Sequence, residues 1–103
     1  MLTFNLKKEW FEKIKSGEKT HEYRELNDYW CKRIGNFYEK QKYNQVCKFA
    51  CGYPSNDDIE RILFARVIDI SVTNGKDTDL KIDKDVFDIE FELIEADFEI
   101  GWN

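Results

Sequence analysis

The run Phe87-Asp88-Ile89-Glu90-Phe91-Glu92-Leu93 alternates apolar and charged residues without a break. Alternation with period two puts four large apolar side chains on one face of a strand and three carboxylates on the other. Such a strand is stable only in a sheet with one face covered and one face wet. The remaining elements must therefore supply a cover. Two helical stripes do so. Trp10, Phe11 and Ile14 fall at i, i+1 and i+4 within a helix predicted over residues 7–16, with Gly17 at the left-handed position past its last turn. Trp30, Ile34, Phe37 and Tyr38 mark a second helix near residues 28–39, with Asn27 as its N-cap.

Residues 2–6 alternate and read as a first strand, and residues 19–24 as a second. Residues 45–50 and 61–72 are rich in β-branched and aromatic residues, and the second run is long enough to bend at a bulge. Residues 73–85, rich in Asp, Lys, Thr and Gly, read as a surface loop or excursion. Residues 98–102 read as a short last strand ending in Trp102. Early helices followed by a strand-rich half define an α+β fold built on a small closed or half-closed sheet. At 103 residues the chain fits a single domain, 1–103.

Charge is unevenly placed. Residues 1–50 hold 11 Lys+Arg against 7 Asp+Glu, whereas residues 51–103 hold 5 against 14. The net charge of −5 opposes strong sequence-blind DNA binding but leaves room for a local basic site in the first half. The acidic run from Asp83 to Glu99 reads most simply as a solvated strand face. No stretch reaches the ~20 apolar residues of a membrane span, and the first residues lack the apolar core of a secretory signal. The expected setting is cytoplasmic, with no membrane partner. Cys31, Cys47 and Cys51 are expected as free thiols. A zinc site would need His21 as fourth ligand. No C-x-x-C pair exists, and in a strand Cys47 and Cys51 would stand about 13 Å apart. Neither a metal nor a cofactor is called for.

The chemistry concentrates in Gly17-Glu18-Lys19-Thr20-His21-Glu22-Tyr23-Arg24. On a strand, Thr20, Glu22 and Arg24 share one face, and His21 and Tyr23 the other. Glu22 and Arg24 then form either a structural ion pair or the lining of a cleft. Strict alternation puts Lys19 opposite Glu22, so a shared site needs a bend. Tyr29, Trp30 and Arg33 lie on one helix at i, i+1 and i+4. Tyr29 and Arg33 are the pair suited to border a cleft, since an exposed aromatic beside arginine serves base stacking. Tyr53 and Trp102 are secondary candidates on the same ground. His21 reads as a surface or packing residue.

Gly17-x-Lys19-x-x-Glu22-x-Arg24, behind a short amphipathic helix, resembles the G-x-K-x-x-E-x-R motif of ASCH domains. The likeness extends over Leu6-Lys7-Lys8-Glu9-Trp10-Phe11 and Tyr29-Trp30-x-x-Arg33, about residues 2–34. Phe49-x-x-Gly52-Tyr53 and Ile100-Gly101-Trp102 also fit the small stand-alone bacterial and phage members. The resemblance implies a PUA-like small β-barrel with two short helices in the N-terminal half. It implies a cleft near the motif that binds RNA or a modified nucleotide or nucleoside. Lys19, Arg24 and Arg33 would hold anions, Glu22 a base edge, and Tyr29 and Tyr53 a base. Some small relatives are amidohydrolases that deacetylate N4-acetylcytidine with the motif lysine as nucleophile, a threonine three residues on and a more distant glutamate. Lys19 matches that lysine, while Glu22 stands in the threonine's place. With Lys19 and Glu22 as the catalytic candidates, hydrolysis is thus the alternative and binding the first expectation. A second alternative is a protein-interaction factor that uses the acidic C-terminal half.

Overall fold

The structure is a computed structural model, and it describes residues 1–40, 45–55 and 57–94. In chain order the elements are β1 (Leu2–Leu6), α1 (Lys8–Lys15), β2 (His21–Glu25), α2 (Asp28–Lys40), β3 (Val46–Cys51), β4 (Ile62–Asn74) and β5 (Asp85–Leu93). Short 3₁₀ turns at Ile59–Arg61 and Gly75–Asp77 precede and follow β4. The five strands form one sheet in the order β1-β3-β4-β5-β2. β1 runs parallel to β3, and every other pair is antiparallel. The result is a small α+β fold with a curled, half-barrel sheet.

The curl has a sequence cause. Leu63, Ala65 and Val67 of β4 pair with or lie beside core positions, and the ladder to β5 then skips a residue between Val67 and Asp69. Ile68 is the extra residue and is exposed. The bulge switches parity, so Ile70 faces the same core as Val67 and pairs with Ile89. A bulge bends and twists its strand, which is how one 13-residue strand spans the curved sheet. On β5 the alternating set expected from the sequence is the core set: Ile89 and Phe91 are buried, with Phe87 and Leu93 packed against them.

Both helices cover the concave face. Phe11 and Ile14 of α1 and Ile34 and Phe37 of α2 join Leu2, Phe4, Leu6, Cys47, Phe49 and Phe91 in one core. Phe49 stands at its centre, with ring centroids 5.6 Å from Phe4 and 4.7 Å from Phe91. Such pairs contribute about 0.5–1.5 kcal/mol each beyond area burial. Tyr38 corrects the predicted stripe, because it is 62% exposed. Consecutive helical residues stand about 100° apart, so Tyr38 cannot share the inward direction of Phe37.

Two element boundaries shape the region around Lys19 and Trp30. Gly17 has φ +86 and its N–H donates to Ile14 O at 3.0 Å, and the Lys19 N–H donates back to Lys13 O at 3.0 Å. The second strand therefore begins at His21, not at Lys19, and Lys19 escapes strand alternation. At α2 the Asn27 side chain accepts from the Trp30 N–H at 2.9 Å, as expected of an N-cap. The segment after β4 also differs from a simple surface loop. Gly75 and Thr78 are buried, Thr78 Oγ1 donates to Gly75 O at 2.8 Å, and the Leu80 N–H donates to Thr78 Oγ1 at 3.2 Å. A Cβ on Gly75 would stand 2.8 Å from Ile82 O, so this close approach requires glycine.

Among the described residues no helix is long and apolar enough to cross a membrane. The predicted strand at 98–102 and Trp102 lie outside the described residues. Cys31 is exposed and Cys51 half-buried, and all three cysteines are free. Cys47 is fully buried, and burial, helped by the charge of Glu22, pushes its thiol from the ordinary 9.0 up to about 12. The folded state thus keeps a proton that the unfolded chain surrenders above pH 9. The associated stabilisation is complete below pH 9 and is lost as pH rises from 9 toward about 12. Urea titrations across that window are expected to show falling stability, with a shallower fall in Cys47→Ala. In thiol labelling of the native protein, Cys31 reacts first and Cys47 reacts only on unfolding.

Candidate functional site

The site begins with the pairing of β2. Residues opposite one another in a ladder share a face. Glu22 is opposite Ile89 and Arg24 opposite Phe87, so both polar side chains project toward the concave, core side of the sheet. His21 and Tyr23 are opposite Glu90 and Asp88 on the other face. β2 forms one edge of the sheet and β1 the other. The curl brings the edges near enough for Arg24 Nη2 to donate to the backbone carbonyl of Asn5 on β1 at 3.4 Å. Arg24 thus spans the seam of the half-barrel.

Glu22 is buried, at 5% exposure, and its carboxylate has three partners. Oε1 accepts from the Tyr23 N–H at 3.1 Å and lies 3.4 Å from Lys19 Nζ, while Oε2 accepts from Arg24 Nη2 at 3.0 Å. Lys19, with only 8% of its side chain exposed, also donates to Asp79 Oδ2 from the turn after β4. Four charges therefore form a chain, Arg24–Glu22–Lys19–Asp79, with alternating sign. Aromatic rings enclose it. The Arg24 guanidinium lies 5.1 Å from the Phe4 ring centre and 4.9 Å from that of Trp30. Lys19 Nζ lies 5.0 Å from the Tyr23 ring and 5.6 Å from that of Trp10. Cations are attracted to ring faces at these distances. The buried Nε of Arg24 has no acceptor among the described residues.

A cleft of about 410 Å³ opens along the seam, with Glu22, Arg24 and Asp79 among its polar lining and Trp10, Tyr23 and Trp30 as its rings. This falls in the range of small-molecule sites. A second groove of about 300 Å³ adjoins it, sharing Trp10, Tyr23 and Asp79 and adding Lys13, Lys19 and His21. His21 Nδ1 stands 2.7 Å from Asp88 Oδ1. Asp88, on the wet face of β5, is thus a partner for the histidine rather than a freely solvated charge. The Tyr23 hydroxyl is shifted upward from its ordinary 10.0, first by burial and then by Asp88, Asp79 and Glu22. Its proton is therefore held more firmly than in water.

Lys19, Glu22 and Arg24 therefore meet at one place. Tyr29 and Arg33 do not line the cleft. The Arg33 guanidinium lies 4.4 Å from the Tyr29 ring centre on the exposed side of α2, and Tyr29 meets Trp30 edge-on at 5.0 Å. They stand one ring away, behind Trp30. Tyr53 is 90% exposed and lines neither cavity. Three lining residues carry no site signal in the sequence. Asn5 and Trp10 sit inside patterns that read as strand and helix. Asp79 lies 60 positions from Lys19, in a stretch whose composition reads as solvent loop. No local signal marks it.

Comparison of the chain with models of known families, with characterised proteins and with solved structures finds no match.

Removing one member of a buried ion network leaves its partner uncompensated, at a cost of about 3–5 kcal/mol. Glu22→Ala is expected to destabilise the fold by that order in urea denaturation, since it leaves Arg24 without a carboxylate and Lys19 with Asp79 alone. Arg33→Ala, at an exposed cation–π pair, should change stability by no more than about 1 kcal/mol.

Proposed function

We propose that the chain is an ASCH-type, PUA-like domain whose seam cleft binds a nucleobase-bearing ligand: single-stranded RNA, a nucleotide or a nucleoside. One observation carries this reading. A buried carboxylate and a guanidinium sit side by side at the floor of a ring-lined cleft, in the segment that resembles the ASCH motif. Aromatic rings offer stacking surfaces to a base. A carboxylate has about four lone-pair sites. Oε1 of Glu22 accepts from the Tyr23 N–H and is ion-paired with Lys19, whereas Oε2 accepts from Arg24 alone, so Oε2 retains a site for an exocyclic amino group. Arg24, which lines the cleft with 20% of its side chain exposed, offers guanidinium donors for a base carbonyl nearby. Titration with the four ribonucleosides and with short RNAs at low salt tests the reading. Millimolar or tighter binding is expected for at least one of them, weakened about tenfold or more by Arg24→Ala, which is about 1.4 kcal/mol. Failure of every ligand to bind, or binding indifferent to Arg24, overturns it.

A second reading has one specific observation in its favour. The amidohydrolases of the ASCH group pair their lysine with a distant carboxylate, and Asp79 is a distant carboxylate in contact with Lys19. In this reading Asp79 accepts a proton from the Lys19 ammonium and the free amine attacks the acyl carbonyl of an N-acylated pyrimidine nucleoside; the bond from that carbonyl to the exocyclic nitrogen breaks as the departing amine takes up a proton, and water then cleaves the acyl group from Lys19 to release the carboxylic acid. Incubation with N4-acetylcytidine at high protein concentration decides it. Release of cytidine that disappears in Lys19→Ala supports the hydrolase. No release from the native protein excludes that substrate.

A further inference from the structure

We propose that Asp79 makes the seam cleft selective for nucleosides that carry no phosphate. The inference rests on the proposed binding of a nucleobase-bearing ligand and narrows its class. The basic first half of the chain invites the opposite expectation, that Lys19 and Arg24 wait for an anion. Their surroundings argue against it. Arg24 is held by Glu22 at 3.0 Å, and Lys19 is shared between Glu22 at 3.4 Å and Asp79. These two cations and two carboxylates cancel in formal charge, and Lys7 and Glu25, which also line the cleft, cancel each other. The members also differ in depth. Side-chain exposure is 6–8% for Glu22 and Lys19, 20% for Arg24 and 30% for Asp79. An entering group therefore meets the Asp79 carboxylate before it meets the Lys19 ammonium. Asp79 also lines both the cleft and the adjoining groove, so an approach from either side passes it.

A phosphate carries at least one negative charge and gains binding by meeting a cation whose charge is not already spent. Here it would have to displace Asp79 from Lys19, and the displaced carboxylate would remain close by. An uncharged sugar and base face no such competition. They need hydrogen bonds and ring faces, which the cleft supplies. The turn that bears Asp79 resists displacement too. Thr78 is tied to Gly75 through both its N–H and its hydroxyl, and Gly75 is itself packed against Ile82 and Val86. The backbone that carries the carboxylate is thus anchored at the cleft.

The test compares each ribonucleoside with its own 5′-monophosphate by calorimetric titration, in the native protein and in Asp79→Asn. The native protein is expected to bind the preferred nucleoside about tenfold or more tightly than its monophosphate. In Asp79→Asn that ratio is expected to shrink about tenfold or more, chiefly through tighter monophosphate binding. Inorganic phosphate at tens of millimolar should compete with the nucleoside in the variant and not in the native protein. Equal or tighter binding of the monophosphate by the native protein overturns the proposal, as does a ratio that Asp79→Asn leaves unmoved. Thermal melting establishes that the variant is folded. Should it not fold, Asp79→Ser is read by the same ratio. If the native protein binds neither nucleosides nor monophosphates, the underlying binding function fails and this proposal falls with it. That outcome is distinct from binding with the wrong preference.

Discussion

The buried carboxylate of Glu22 is the constraint on which the site depends. A carboxylate taken out of water costs several kcal/mol unless charge and hydrogen bonds replace its hydration. Glu22 recovers them from the Tyr23 N–H, from Lys19 and from Arg24. Each partner then acquires a fixed position. Arg24 is drawn against Phe4 and Trp30 and across to Asn5, and Lys19 is drawn in from the link between α1 and β2. One buried charge thus orders side chains from β2, from the link before it and from the seam.

The sheet supplies the place where this happens. Its two edges, β1 and β2, are not hydrogen-bonded to each other as strands, yet the curl brings them near enough for the Arg24 side chain to bridge them. Unpaired edges expose backbone donors and acceptors. Here the gap between them holds polar side chains and rings instead of another strand. The bulge at Ile68 bends the long β4 while keeping both Val67 and Ile70 on the core face. Curvature and cleft therefore share one origin: a sheet that curls but does not close by a strand ladder.

Charge along the chain and charge in space differ for a physical reason. The first half is basic, but its two motif cations end among acids, one of which comes from the acidic second half. Coulomb interaction depends on distance in space and on dielectric surroundings, not on sequence separation. The turn carrying Asp79 sits close to the motif because Asn74 and Gly75 end β4 tightly and β5 runs back along β2. The electrostatic character of the cleft is thus set by topology.

By itself the sequence determined the strands and helices with strong periodicity. Residues 87–93 alternate, α1 and α2 carry apolar stripes, Gly17 and Asn27 mark a stop and a start, and each of these is local chemistry. It also determined that Glu22 and Arg24 share a strand face, because a two-residue spacing leaves no other choice. Only the tertiary structure decided that Lys19 joins them, since this needed the strand to begin at His21 and the Lys19 N–H to return to Lys13. It alone placed Tyr29, Arg33 and Tyr53 away from the cleft lining and brought Asp79 and Trp10 into it. Spacing along a chain dictates which face a residue shares with its neighbours. Which faces meet across the molecule is set by the bulge, the register and the curl, where contributions from the whole chain combine.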